Sequence, residues 1–250
     1  PDMVYGIIDK SEKIICNIEY EFISRFSNKR ALIQKNNKYG YINDRGQIII
    51  PLKYDKAVEF CNGTAIVGVN THEWDDKNTF KYTIIDIMGN ELCPCRFDHI
   101  EPTNVNSVFR IFEDNRVGLI DNHGHIIVDV RYNRIEDFSE GLAVVINTST
   151  YDKWIYDDLN DFHVESTIDQ CGYIDMDGKM VIPQIYSKAS PFINGLASVE
   201  TEDGDMYQLD KQGTILKQDK TKSNEYNDNL QENDIEDAFD GHPDAYWNID

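Results

Sequence analysis

One five-residue pattern returns six times along this chain, and it constrains the fold more than any other feature. The copies are Tyr5-Gly-Ile-Ile-Asp9, Tyr39-Gly-Tyr-Ile-Asn43, Tyr82-Thr-Ile-Ile-Asp86, Val117-Gly-Leu-Ile-Asp121, Cys171-Gly-Tyr-Ile-Asp175 and Met206-Tyr-Gln-Leu-Asp210. Each opens on an aromatic or apolar residue, usually continues with Gly and two β-formers, and closes on Asp or Asn. A turn residue stands seven positions after the first, at Glu12, Gly46, Gly89, Gly124, Gly178 and Gly213. A short apolar strand follows, as in Gln47-Ile-Ile-Ile50 and His125-Ile-Ile-Val128. Self-similarity at a fixed period is the signature of repeat architectures.

The unit runs on past this hairpin. An aromatic residue comes next at Tyr20, Tyr54, Phe97, Tyr132 and Tyr186, and six residues later Phe26, Phe60, Phe138 or Phe192. Thr103 breaks that second pattern. Gly63, Gly141 and Gly195 are each followed two residues on by Ala65, Ala143 and Ala197; the first copy has Lys29 and Ala31, and the third has Val108 in the Ala place. The turn positions lie 34, 43, 35, 54 and 35 residues apart, so the two long values mark insertions into a unit of about 35. Asp-x-x-Gly between β-rich runs specifies a tight hairpin, with the carboxylate capping backbone N–H groups and Gly taking the positive φ. One such unit cannot bury its own apolar face and must stack on its neighbours. The expectation is an all-β fold of tandem antiparallel β-meander repeats over residues 1–218. The units lie near 4–38, 39–81, 82–116, 117–170, 171–205 and 206–218, the last partial. The array is either an open curved solenoid or a closed propeller-like ring. The unit is shorter than common propeller blades, which favours the open form. A partial last unit beside a full first one favours the closed form.

The pattern resembles the WG-repeat family of bacterial proteins, also called the KWG repeat, over about residues 4–218. The likeness rests on the aromatic-Gly-Tyr/Ile-Ile-Asp-x-x-Gly block with Pro51 and Pro183, and on the Tyr-x-x-x-x-x-Phe-x-x-Gly-Leu-Ala-x-Val block. The family's Trp before Gly is replaced in every copy by Tyr, Val, Cys or Met. The resemblance implies a β-repeat scaffold for protein or ligand contacts and no enzymatic activity.

What fails to repeat is where specific function is expected. One insertion, near 70–81, holds Trp74, Asp75 and Asp76; the other, near 147–170, holds Trp154, Tyr156 and Asp157. Both fall at the same place in the unit, and such insertions form loops on one face, often the binding face. The alternative is that each Trp covers an exposed sheet edge or an adjoining repeat. Residues 219–250 hold ten Asp or Glu and read as an acidic tail of low order. Its end gathers Phe239, Tyr246 and Trp247 among carboxylates, as a linear docking motif or as a segment folded back on the repeats.

The chain carries 24 Lys and Arg against 45 Asp and Glu, a net charge of −21. That balance disfavours direct binding to nucleic acid and suits a basic partner. No apolar run is long enough to span a membrane, and the Pro-Asp-Met start shows no signal segment, although a removed signal would leave no trace there. Five cysteines in no disulfide spacing read as reduced thiols in a cytoplasmic protein. Chemistry is hard to find. The recurring Asp residues read as turn caps, Cys93-Pro-Cys95 is too close for a zinc knuckle, with Cys93 at a core position, and His123 and His125 straddle a turn with no further ligand. No cofactor, metal site or catalytic residue is expected. The leading reading is a non-enzymatic scaffold that binds a protein or peptide through its insertions and tail. The alternatives are an acidic inhibitor or immunity-type protein that blocks a basic toxin or nucleic-acid-binding surface, and, least favoured, an enzyme with a site built from the insertions.

Overall fold

The structure, a computed structural model, describes residues 3–71, 79–155 and 162–219, with side chains at 153–155, 162–164 and 219 excepted. Strands form six antiparallel sheets that follow one another along the chain. The first has β1 (Tyr5–Ile8) and β2 (Ile14–Tyr20); the second has β3 (Phe22–Ile23), β4 (Arg30–Lys35), β5 (Lys38–Asn43) and β6 (Ile48–Tyr54). The third has β7 (Lys56–Ala57), β8 (Thr64–Asn70) and β9 (Phe80–Asp86); the fourth has β10 (His99–Pro102), β11 (Val108–Glu113), β12 (Arg116–Asp121) and β13 (Ile126–Tyr132). The fifth has β14 (Arg134–Ile135), β15 (Leu142–Ile155), β16 (Phe162–Asp175) and β17 (Met180–Tyr186); the sixth has β18 (Lys188–Ala189), β19 (Ala197–Glu200), β20 (Met206–Leu209) and β21 (Ile215–Asp219). Among the described residues there is no helix, and so none long and apolar enough to cross a membrane.

The sheets do not coincide with the sequence units. Unit 39–81 gives β5 and β6 to the second sheet and β7 and β8 to the third. Each of the five full units thus ties two sheets together through the covalent chain, and the core follows the same logic. It divides into five apolar clusters, one at each junction between successive sheets. Tyr20, Tyr54, Phe97, Tyr132 and Tyr186 lie buried in these clusters with Phe60, Phe138 and Phe192, whereas Phe26 of the first unit is exposed.

The turn chemistry holds in all six copies. Oδ1 of Asp9, Asn43, Asp86, Asp121, Asp175 and Asp210 accepts the backbone N–H groups two and four residues on, at 2.7–3.0 Å. Burial works to raise the pKa of Asp121, but the N–H groups of His125 and His123 and the His125 ring outweigh it and hold it below the ordinary 3.8. Asp86 is lowered in the same way, against burial, by the Asn90 side chain and its turn N–H groups. For Asp210 the Thr214 N–H dominates. A lowered folded-state pKa adds stability above the unfolded value, which is lost as pH falls through the folded one. Urea midpoints should therefore be flat from neutral pH down to about pH 5 and fall progressively below it. Asp121→Asn should blunt that fall, because an amide keeps the acceptor without titrating.

The Gly of the repeated block has a separate cause. A Cβ on Gly40, Gly118 or Gly172 would collide with the backbone of the next strand, at the Ile50, Val128 or Ile182 carbonyl oxygen. The strand pairs slip register at this point, bringing the backbones close. Thr83 stands in that place in the third sheet. Its buried hydroxyl donates to the Cys93 carbonyl at 2.6 Å, and the fourth strand is reduced to isolated bridges, Tyr82 to Phe97 and Ile85 to Glu91. The third sheet accordingly has three strands. Cys93 is buried there, as its place in the repeat predicts.

Two sequence expectations need revision. The register pairs Phe109 with Ile120, just as Ala31, Ala65 and Ala143 pair with Ile42, Ile85 and Ile174. Phe109, not Val108, therefore occupies the Ala place, because β10 runs on to Pro102 and the turn after it holds one extra residue. The insertion near 147–170 is also not simply a loop. Its two sides continue β15 and β16 as a ribbon, paired from Asn147–Gln170 out to Ile155–Phe162.

Candidate binding site

Two junctions between sheets are built alike around a pair of rings, and the third–fourth junction departs from them. Where the second sheet meets the third, the Tyr41 hydroxyl donates to the Val58 carbonyl at 2.7 Å and its ring meets Phe60 edge-on at 4.7 Å. Where the fifth meets the sixth, Tyr173 donates to Ser190 at 2.8 Å and meets Phe192 at 5.0 Å. Burial pushes both phenols up from the ordinary tyrosine value of 10.0, so they stay neutral donors. A polar latch reinforces both of these junctions. The Ser27 hydroxyl donates to the Phe60 carbonyl and that of Ser139 to the Phe192 carbonyl, both at 2.6 Å. Asn104 holds Phe138 by both its N–H and its C=O, where the fourth sheet meets the fifth. Asn28 and Glu140 add a second latch, accepting from the N–H groups of Gly63 and Gly195.

Between the third and fourth sheets these elements are replaced. Ile84 stands at the Tyr place and Thr103 at the Phe place; Cys61 stands at the Ser place. Among the described residues neither Cys61 nor Asn62 latches its side chain to the fourth sheet. Thr103 instead turns its hydroxyl on its own turn, donating toward the Val108 carbonyl at 3.0 Å and accepting from the Val105 N–H at 3.1 Å. The gap is a cavity of about 420 Å³, walled by Val58, Ala65, Ile66, Ile100, Val108 and Phe109, with Cys61 and Thr103 in its lining. Ser107, in the place of a repeat Gly, also lines it and keeps the positive φ of 72°. Val58, Ile66, His99 and Ile100 are shared with a smaller neighbouring hollow of about 270 Å³.

A second, polar hollow lies where the fourth sheet meets the fifth. Arg110, largely buried, spans it, donating to the Ile135 carbonyl at 2.8 Å and pairing with Glu101 and Asp137. Two further carboxylates are similarly engaged. Asp98 pairs with Lys81 at 2.6 Å and accepts the Asp114 N–H, and Lys81 above all holds its pKa below the ordinary value. Asp55 makes the equivalent pair with Lys38. Among the described residues no three His, Cys, Asp or Glu side chains gather as a metal site.

The candidates named from sequence fall unevenly. Trp74, Asp75 and Asp76 lie outside the described residues, as do Tyr156, Asp157, Phe239, Tyr246 and Trp247. Trp154 lies on β15, paired with His163 of β16, and its side chain is outside the described set. Both insertions leave from the connection between the second and third strands of a sheet, β8 to β9 and β15 to β16. In the second and fourth sheets that connection is a two-residue turn with both φ positive, at Asn36 and Asn37 and at Asp114 and Asn115, and in the sixth it runs through residues 201–205 with Gly204 at positive φ. The cavity was not among the sequence candidates. Its one visible trace was Thr103, the residue that broke the Phe pattern.

The geometry defines a class first: an all-β repeat scaffold whose recurring residues serve turns, bulges and junctions. The pattern described as a WG containing repeat matches residues 5–39, 39–70, 118–151 and 172–204, more than half of the sequence, and the chain belongs to that family. Residues 71–117, between the second and third matches, include Thr83, Ile84 and Thr103. No curated protein matches the sequence. Similar solved structures include BamB from Moraxella catarrhalis, at 12% identity and a TM-score of 0.30 over 78% of this chain and 62% of that one. A eukaryotic initiation factor is similar at 10% identity and a TM-score of 0.41, over 84% of this chain and 57% of that one. Hsv2 from Kluyvelomyces marxianus is similar at 12% and 0.34, over 76% and 58%. The chain spans about three fifths of the length of these structures.

Proposed function

We propose that this chain is a non-enzymatic recognition scaffold that binds a protein or peptide partner through its insertions and acidic tail. The observation that carries this reading is the β15–β16 ribbon. Its strands are 14 residues each, against seven or fewer elsewhere. Beyond Ile146 and Cys171 it projects by nine residue pairs, about 30 Å at strand rise. The flanking strands β14 and β17 pair only with its base, so both edges of the projecting part are free of ladder partners among the described residues. Free strand edges accept further strands, and peptide recognition by β-addition uses them. Tyr151 and Asp152 are exposed on this ribbon.

The non-enzymatic part is supported by the repeated carboxylates, which are occupied by backbone N–H groups in every turn. The test is a pull-down from the source cells with the full chain, with residues 148–169 replaced by Asn-Gly, and with 219–250 removed. The expected result is a partner lost with the ribbon or the tail while the melting curve of the array is kept. Partners that are the same for all three chains would reject the reading. The net charge of −21 favours a second reading, an acidic inhibitor of a basic surface. Binding that weakens steeply from low to high salt supports it, and salt-insensitive binding rejects it.

A further inference from the structure

We propose that the cavity between the third and fourth sheets is a binding site for a small uncharged aromatic molecule of one or two fused rings. The second–third and fifth–sixth junctions give the reason, since each closes on a pair of rings, Tyr41 with Phe60 and Tyr173 with Phe192. The third–fourth junction brings Phe109 and the His99 imidazole to the cavity wall; His99 already meets Tyr82 and Phe112, and among the described residues Phe109 meets no other ring. Large and small are exchanged here, with Phe109 at the Ala place and Thr103 at the Phe place. The exchange does not fill the junction, because the latch made by Ser27, Asn104 and Ser139 elsewhere is missing at Cys61. A space of about 420 Å³ remains, within the range of small-molecule sites.

The lining sets the chemistry. Aliphatic walls at Val58, Ala65, Ile66, Ile100 and Val108 suit an apolar body, and Phe109 offers an edge or face to a second ring. No Lys or Arg lines the cavity; Glu59 and Glu101 do, and the one basic side chain, His99, already faces Glu101 at 3.6 Å, so a ligand carboxylate would meet a net acidic lining. The mouth carries Cys61, which is exposed, whereas Cys16, Cys93 and Cys171 are buried and Cys95 is half-buried. The site lies apart from the β15–β16 ribbon and does not depend on the scaffold reading.

Indole is the probe, titrated by calorimetry into the full chain. Saturable one-to-one binding is expected, with indole-3-acetate weaker. Phe109→Leu keeps an apolar wall but removes the ring, and should weaken indole about three- to tenfold, the worth of an aromatic pair. Thr103→Phe restores the repeat's own ring and should weaken indole about tenfold or more while leaving the melting temperature no lower. Should that variant fold poorly, alkylation of Cys61 by N-ethylmaleimide in the unmodified chain reads the same site, and indole should slow it. Absence of indole binding, equal affinity in Phe109→Leu, or Cys61 alkylation unchanged at saturating indole would each overturn the proposal. So would a phenylalanine-bearing peptide that binds here when free ring compounds do not.

Discussion

Replacing Gly124 with alanine should destabilise the array by about 3 kcal/mol or more, read as a lowered urea midpoint. Two costs combine. Gly124 ends the β12–β13 turn at φ +87°, a backbone conformation that an L side chain adopts only under strain. The tip also presses on the third sheet, where a Cβ would overlap the carbonyl oxygen and carbon of Leu92. A backbone carbonyl in an adjacent sheet has no rotamer by which to move aside, so the sheets themselves must part. Gly141 separates the two costs. Its φ is +88°, but nothing lies within 4 Å of an added Cβ. Gly141→Ala should therefore cost only about 1 kcal/mol. Equal losses in the two variants would show that the tip contact contributes nothing.

Phe192→Ala should cost about 3–5 kcal/mol, the range for deleting a buried aromatic ring. Phe192 is 1% exposed and lies edge-on to Tyr173 between the fifth and sixth sheets. Its carbonyl is fixed by Ser139, so the backbone cannot collapse freely into the space the ring leaves. The cavity term adds to the lost transfer free energy for that reason. Ser139→Ala removes the latch alone and should cost about 1 kcal/mol, the net worth of one hydrogen bond. Chemical denaturation of both variants checks the order. A Phe192→Ala loss no greater than that of Ser139→Ala would mean that the ring is not the junction's main cohesive element.

Much of this architecture was legible in the sequence, because each repeated residue type answers a local demand. Asp121 and Gly124 encode their turn within four residues. Tyr54, Phe60 and Ala65 encode burial by recurring at fixed spacing. The turn-cap reading of the recurring Asp residues and the core reading of Cys93 follow from the same regularity. The features that escaped involve two units at once. That Phe109 rather than Val108 takes the Ala place depends on how far β10 runs before turning, which strand pairing decides. The cavity depends on Cys61 in one unit and Thr103 in the next, 42 positions apart. Thr103 was visible as an irregularity, but its effect could be read only across the junction. The ribbon was hidden because Asp, Asn and Lys among its aromatics signal a loop, while pairing with the opposite side holds the same residues in strands.

The absence of a latch at Cys61 bears on how the whole array melts. Among the described residues each apolar cluster joins two successive sheets, as in a one-dimensional Ising chain, where a junction without a latch is a weak link. That link lies in the middle, with three sheets on either side. It divides the array into two blocks of equal sheet number that can lose structure in separate steps, and anything wedged into the gap between them would fuse the two transitions into one.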